Sequence, residues 1–219
     1  MNKKNISYGR QTINESDINS VIDVLKSDWL TQGPNVEQFE SKLCTFFGSK
    51  FAVAVSNGTN ALHLAAKTLG WGKNDYILTT PITFLASANC IEYVKANTVF
   101  VDIDPKTYTL DLNKLESTIK RLKGENKNIA AVISVDFAGH PSDWVSLKLL
   151  SEKYNFRLIN DNCHALGAKI NGDQSYGVKY ADILTQSFHP VKHITTGEGG
   201  ALLSNNEDYF NKFLLLRSH

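Results

Sequence analysis

Apolar residues recur along this chain in two patterns: short continuous runs, and longer segments with apolar positions three or four residues apart. The continuous runs predict strands that are buried on both faces of a sheet. The longer segments predict amphipathic helices. The first of them, with Asn14 as a possible N-cap, carries four apolar residues on one face: Ile18, Val21, Ile22 and Leu25. The two patterns alternate, which is typical of an α/β protein with a mostly parallel central sheet flanked by helices.

The patterns predict a residue range for each strand and helix. The predicted strands are 51–55, 76–79, 98–102, 129–135, 157–160 and 181–187. The predicted helices are 14–27, 36–47, 58–69, 83–94, 112–123 and 145–154. No internal repeat or linker interrupts this order, so we expect one domain over residues 1–219 that includes a helical N-terminal segment up to about residue 48.

Composition narrows the class of protein. Of the 219 residues, 42% are hydrophobic and 21% are charged, with a formal net charge of +1. This balance argues against nucleic acid or an anionic membrane surface as a partner. No segment has the apolar stretch of a signal peptide or of a membrane span. The three cysteines (Cys44, Cys90 and Cys163) have neither zinc spacing nor a disulfide framework. We therefore expect a cytoplasmic protein without a metal.

A candidate catalytic motif follows the last predicted strand. There the sequence reads S-F-H-P-V-K-H-I-T-T-G-E-G-G, with Lys192 as its lysine. Sites in α/β proteins lie beyond strand ends, and a primary amine there suggests a lysine that holds pyridoxal phosphate (PLP) as a Schiff base. Taken alone, a loop lysine is more often simply solvated.

Three other strand-to-helix junctions carry matching groups. Gly58 and Thr59, in S-N-G-T-N-A-L, open a helix whose free amides can bind an anion. Asp161, in N-D-N-C-H-A-L-G, can pair with a protonated pyridine nitrogen, and His164 with a ring hydroxyl. Phe84, in T-T-P-I-T-F-L-A-S, can stack on the ring.

Each of these groups has an ordinary structural interpretation. The S-N-G-T segment and Asp161 can be helix caps, His164 can be a hydrogen-bonded core histidine, and Phe84 can be a core aromatic residue. Their joint occurrence at four junctions favours the cofactor site.

In order and spacing these segments resemble the DegT/StrS family of PLP-dependent nucleotide-sugar aminotransferases. The resemblance covers essentially the whole chain. Further matching segments are W-L-T-Q-G-P, V-D-I-D-P-K-T-Y-T-L-D and V-D-F-A-G-H-P. It implies the fold-type-I, aspartate-aminotransferase architecture of PLP-dependent transferases, and a homodimer that takes L-glutamate and a nucleotide sugar as substrates.

The resemblance also implies roles for individual residues. Lys192 would bind the cofactor and shuttle a proton, while Asp161 would pair with the ring nitrogen. Thr31, in W-L-T-Q-G-P, would lie on the substrate or cofactor side. Gly58, Thr59 and Ser187 would hold the phosphate of the cofactor. Phe84 would stack on its ring, and His164 would contact the ring hydroxyl.

Within the family, the V-D-F-A-G and S-F-H-P-V-K forms most resemble the branch of pseudaminic acid synthesis, which implies amination at C4 of a UDP-linked 4-keto-6-deoxy-N-acetylhexosamine. Another nucleotide-linked 4-keto sugar, of the perosamine or legionaminic type, is the alternative substrate. A noncatalytic PLP-binding remnant is the alternative class. A nicotinamide dehydrogenase is disfavoured, because no G-x-G-x-x-G follows a predicted strand.

Family members continue through a C-terminal small domain. This sequence stops within an apparent helix at Leu214–His219. We therefore expect the chain to correspond to the large PLP-binding domain, with the small domain absent from it.

Overall fold

The central sheet sets the architecture. The structure, a computed structural model, describes residues 7–218. Within that range seven strands form one sheet: β1 (Phe51–Val55), β2 (Asp75–Thr79), β3 (Asn97–Phe100), β4 (Asn128–Val135), β5 (Arg157–Asp161), β6 (Ile183–Ser187) and β7 (Gly200–Ser204). Their spatial order is β1-β7-β6-β5-β4-β2-β3. β7 runs antiparallel to both of its neighbours, and the other paired strands are parallel. The expected mostly parallel α/β sheet is present.

Helices cover both faces of the sheet. In the described part of the chain they are α1 (Glu15–Lys26), α2 (Pro34–Phe47), α3 (Gly58–Thr68), α4 (Ala86–Tyr93), α5 (Leu112–Gly124), α6 (Trp144–Tyr154), α7 (Tyr176–Tyr180) and α8 (Glu207–Arg217). Asn14 caps α1 by accepting from the amides of Ser16 and Asp17, as its sequence position predicted. Gly48, in the left-handed region at φ 64°, ends α2.

The predicted elements match the structure within a few residues, with one clear displacement. The helix predicted from residue 83 begins at Ala86 instead. Residues 83–85 form a tighter turn, in which the amide of Ser87 donates to the carbonyl of Phe84. The patterns missed β7 and α7. At five residues, α7 is too short to show a helical period. β7 begins with Gly200, directly after a glycine-rich loop, and glycine is depleted in strands.

The sheet is buried on both faces, as its continuous apolar runs predicted. Along β4, Ala131 and Ile133 pack into a core with α3, α4 and α8. Val132 points the other way, into a second core with α5 and α6 that includes Trp144. All four side chains are inaccessible to solvent. Successive residues of a strand face opposite sides, so one strand supplies both cores.

The antiparallel strand brings several chain segments to one edge of the sheet. Gly200, the first residue of β7, pairs with Val55 at the end of β1 and with Ser187 at the end of β6. On the neighbouring strands, Val135 pairs with Asp161. The carboxyl ends of four parallel strands and the start of β7 therefore lie together.

Helix α1 presents its apolar face to solvent. None of its residues is buried, although the helix is amphipathic as predicted. The four residues of that face are 36–63% exposed: Ile18, Val21, Ile22 and Leu25.

Within residues 7–218 the structure contains no helix that is both long and apolar enough to cross a membrane. The prediction that the N-terminus carries no signal peptide falls largely on residues 1–6, which lie outside the described residues. The cytoplasmic location stays a prediction.

The start of β7 generates a test of the fold. A β-carbon at Gly200 would collide with the carbonyl group of Asn57 and lie 2.7 Å from the amide nitrogen of Gly58. We expect Gly200→Ala to lower the free energy of unfolding by about 1–3 kcal/mol in urea titrations.

A matched control is Gly124→Ala at the end of α5, where no atom lies within 4 Å of the added carbon. It should leave stability unchanged or raise it by up to about 1 kcal/mol. Equal unfolding midpoints for the two variants would contradict the role assigned to Gly200.

Candidate active site

A cleft of about 570 Å³ opens at the edge of the sheet where these strand ends meet. Every cofactor-binding residue predicted from the sequence lines it: Gly58, Thr59, Phe84, Asp161, His164, Ser187 and Lys192. Thr31 does not line the cleft. It is exposed in the segment between α1 and α2, and its role stays a prediction.

One end of the cleft is formed by the N-terminus of α3. Asn57 caps this helix, since its side chain accepts from the amide of Asn60 and its carbonyl accepts from the amide of Ala61. These cap bonds do not use the amides of Gly58 and Thr59. The cap and the anion site predicted for S-N-G-T are therefore compatible.

Gly58 keeps this end of the cleft narrow but open. A β-carbon there would lie 2.8 Å from the β-carbon of Ser187 and 3.4 Å from the sulfur of Cys163. The absence of a side chain keeps this end open, and it is lined by Gly58 together with Thr59 and Ser187, which both carry hydroxyl groups. Amides at a helix N-terminus, together with hydroxyl donors, bind anions such as phosphate.

Asp161 supplies a buried carboxylate at the end of β5. It is 4% exposed, and its Oδ2 accepts a 2.6 Å hydrogen bond from the hydroxyl of Ser87 in α4. Its Oδ1 accepts from the amide of Cys163 at 3.3 Å. The next helix in the chain begins only at Tyr176, so Asp161 does not cap a helix.

His164 lies three residues beyond Asp161, in the turn that follows β5. Burial lowers the pKa of His164 below its ordinary value, and the positive charge of Lys192 acts in the same direction. The imidazole ring lies 6.0 Å, between centroids, from the ring of Phe137. His164 is thus a cleft residue that favours the neutral form.

Phe84 is not a core residue. Its side chain is 67% exposed while it lines the cleft. Exposed aromatic faces next to a cleft are suited to stacking on a planar ligand.

Lys192 lies in the loop between β6 and β7, where its amide donates to the carbonyl of His189 at 2.8 Å. The loop is anchored at Phe188, which is 1% exposed. The carbonyl of Phe188 accepts from the hydroxyl of Thr195 and from the amide of Thr196, at 2.9 and 3.0 Å. The half-buried lysine is therefore held at the cleft by a fixed loop.

Several residues of the site were not predicted. Ser87 orients Asp161 and is itself bonded to the hydroxyl of Thr83 at 2.7 Å. Tyr8 and Glu198 line the cleft from the N-terminal segment and from the loop before β7. The four-residue spacing of Thr83 and Ser87 was visible in the sequence, but only tertiary packing shows that they reach Asp161.

The described residues contain no candidate metal-binding site. Residues 7–218 contain no group of three or more His, Cys, Asp or Glu side chains placed to hold a metal ion. The three cysteines are free thiols. Burial and the Asp161 anion raise the pKa of Cys163, so this thiol is not poised as a nucleophile.

Comparison with known proteins agrees with this geometry. The profile of the DegT/DnrJ/EryC1/StrS aminotransferase family matches residues 11–219. The chain belongs to this family. The predicted membership of the DegT/StrS family is thereby confirmed.

Relatives within the DegT/StrS family include a UDP-4-amino-4,6-dideoxy-N-acetyl-beta-L-altrosamine transaminase of Campylobacter jejuni, 43% identical over 98% of this chain and 55% of the relative. The Helicobacter pylori aminotransferase PseC, described as involved in the biosynthesis of pseudoaminic acid, superimposes with a TM-score of 0.89. It is 33% identical, over 99% of this chain and 56% of that one.

A putative sugar aminotransferase of Streptococcus pneumoniae, solved in its PLP form, superimposes with a TM-score of 0.88 at 29% identity. The match covers 97% of this chain and 57% of that one. These superpositions confirm the predicted transferase fold. The chain spans about half the length of the relatives it matches.

The environment of His164 predicts its titration. In NMR titrations of this chain without ligand, the imidazole of His164 should titrate below the ordinary pKa of about 6.5. Lys192→Met should raise that midpoint, because it removes a nearby positive charge. Since the folded-state pKa is depressed, the resulting stability is present above about pH 6.5 and is lost as the pH falls through the folded-state pKa.

The control is Lys73→Met, an exposed lysine outside the cleft, which should leave the midpoint unchanged. A His164 midpoint above 6.5, or no response to Lys192→Met, would contradict this description of the cleft.

Proposed function

We propose that this chain is the large cofactor-binding domain of a PLP-dependent aminotransferase. The observation that carries the proposal is the meeting of Lys192 and Asp161 in one cleft, beside a helix N-terminus with available amides. A primary amine, a buried carboxylate and an anion-binding end are the groups that PLP requires.

The residues present fit this cofactor. Gly58, Thr59 and Ser187 surround a narrow end that a β-carbon at residue 58 would fill, which suits a phosphate group. Asp161 suits a protonated ring nitrogen, His164 suits the ring hydroxyl, and Phe84 suits the ring face. Bound PLP supplies an electron sink for the carbon from which a proton is removed.

The chain's own residues divide the remaining tasks. The Nζ of Lys192 would hold the cofactor and would also be the group that takes a proton and returns it. Asp161 would pair with the ring nitrogen, and Ser87 and the amide of Cys163 hold its two oxygens in place. The anion-binding end of the cleft would hold the cofactor's phosphate and so set its position relative to Lys192.

We infer that the amino donor is L-glutamate. The acceptor is a UDP-linked 4-keto-6-deoxy-N-acetylhexosamine, aminated at C4. Support for the acceptor comes from the S-F-H-P-V-K segment and from the names of the Campylobacter jejuni and Helicobacter pylori relatives, and the donor follows from the family resemblance. Another nucleotide-linked 4-keto sugar, of the perosamine or legionaminic type, remains the alternative acceptor.

The test of the cofactor and the donor uses this chain with added PLP. Borohydride reduction followed by peptide mapping should place the cofactor on Lys192. In a separate sample that has not been reduced, L-glutamate should convert the bound cofactor to its aminated form, with loss of the visible absorbance. Lys192→Met should abolish both, whereas Lys73→Met should affect neither.

Asp161→Asn adds a second arm to this test. It should retain PLP but slow the reaction with glutamate strongly, because a neutral amide does not stabilise a protonated ring nitrogen. A borohydride label on any lysine other than 192 would refute the assignment. PLP binding without any reaction with glutamate would instead favour a noncatalytic binding module.

The acceptor is tested with the aminated cofactor form and three sugars: the UDP-linked L-arabino 4-keto sugar, its D-xylo isomer and a dTDP-linked analogue. We expect the first to react fastest. It should exceed the D-xylo isomer by about 10²-fold, because inverted stereochemistry displaces the reacting carbon on the order of 1 Å. Preference for the dTDP sugar would refute the acceptor and leave the aminotransferase proposal standing.

We also propose that the chain forms a homodimer. The family resemblance implies one, and the apolar face of α1 has exposed side chains that a second copy would cover. Val21 and Leu25 are the most exposed of that face, at 60% and 63%.

The dimer is tested by sedimentation of the chain and two variants of α1. Val21→Glu should shift the chain towards monomer, because a charge buried in an apolar interface is unfavourable. Ser20→Glu, a polar residue of the same helix, should leave the association state unchanged. A monodisperse wild-type monomer would contradict the proposal.

A further inference from the structure

A second buried carboxylate lies beneath the cleft and has no task in the function proposed above. Asp136 follows the last residue of β4 and is completely inaccessible to solvent. Its Oδ1 accepts from the amide of Ser142 at 2.8 Å and from the indole of Trp144 at 2.9 Å. Its Oδ2 accepts from the side-chain amide of Asn162 and from the hydroxyl of Tyr176, both at 2.8 Å.

All four partners of Asp136 are neutral donors. Burial raises the pKa of this carboxyl group, and the four hydrogen bonds oppose that effect. The geometry suits the ionised form, since two donors face each oxygen and an ionised carboxylate is an acceptor only. Removing an acceptor from such a network leaves buried donors unsatisfied, which is costly.

The network reaches the cleft through the alternation of strand residues. Asp161 and Cys163 line the cleft, whereas Asn162 between them points away and donates to Asp136. Likewise Val135 and Phe137 line the cleft on either side of Asp136. Asp136 and Asn162 therefore lie on the side of these two strand ends that faces away from the cleft, opposite to Asp161.

Two further hydrogen bonds link Asp136 and Asn162 to the ends of the neighbouring strands. The amide of Asp136 donates to the carbonyl of Asp161 at 3.2 Å. The side-chain amide of Gln186 in β6 donates to the side-chain oxygen of Asn162 at 2.5 Å. One carboxylate thus connects the ends of β4, β5 and β6 with Trp144 and Tyr176 on the covering helices.

We propose that Asp136 is a positioning residue, which holds the turn formed by residues 161–163 so that the Asp161 carboxylate stays directed at the cofactor's ring nitrogen. The expected effect on catalysis rests on the proposed function. The effect of Asp136 on the turn formed by residues 161–163 does not depend on it.

The decisive variant is Asp136→Asn. It keeps the shape of the side chain but replaces one acceptor with an NH₂ group that faces two donors. Tyr176→Phe is milder, because it removes one of the four donors and leaves the carboxylate in place. The matched control is Asp182→Asn, since Asp182 accepts from the amide of Leu158 at 2.8 Å and so fixes the opposite end of β5.

Two readouts separate positioning from general stability. The first is backbone hydrogen exchange in the ligand-free chain. Asp136→Asn should raise exchange at the amides of residues 162 and 163, whereas Asp182→Asn should raise it near Leu158 only. The second is the rate of the reaction with L-glutamate at saturating PLP, which should fall at least about tenfold for Asp136→Asn and stay unchanged for Asp182→Asn.

The outcomes are distinguishable. Equal losses of thermal stability for Asp136→Asn and Asp182→Asn, with exchange at residues 162 and 163 and the glutamate rate unchanged, would overturn the inference. If Asp136→Asn does not fold, Tyr176→Phe decides, because it should show the same two changes to a smaller degree. If the wild-type chain does not react with glutamate, the proposed function fails, and the exchange measurement alone still supports or overturns the positioning role.

Discussion

The pairing of β7 with both β1 and β6 is the constraint on which the site depends. It inserts one antiparallel strand between two parallel ones, and so brings the N-terminus of α3 beside the loop that carries Lys192. The close approach of Gly200 to the main chain of Asn57 and Gly58 leaves no room for a side chain. The anion-binding end and the lysine are held in register by main-chain contacts rather than by flexible side chains.

The site contains two buried carboxylates, which lie on opposite sides of the strand ends. On the side of the cleft, Asp161 is a carboxylate that is fixed by Ser87 and available to a cationic partner. On the side away from the cleft, Asp136 is a carboxylate whose two oxygens each accept two hydrogen bonds from neutral donors. Burial of each would be costly without these bonds. One carboxylate is therefore suited to chemistry and the other to holding the first in place.

Most of the fold followed from local pattern. Long segments with a clear period, such as α5 and β4, were predicted within a residue or so of their observed ends, because burial of one face or of both leaves a strong signal in the sequence. α7 is shorter than two helical turns, and β7 starts with a glycine after a glycine-rich loop, so neither left such a signal. The start of α4 was misplaced because side-chain bonding of Thr83 and Ser87 and a tight turn replaced the first helical turn.

The sequence by itself determined several of the residues that line the candidate site. Lys192, Asp161, His164, Phe84 and the S-N-G-T segment each follow a strand, and parallel strands end at one edge of a sheet. Tertiary structure alone decided which groups support them. Ser87 and Asp136 lie 74 and 26 positions from their partners Asp161 and Asn162. Contacts across such separations depend on strand order and side-chain packing, which local periodicity does not encode.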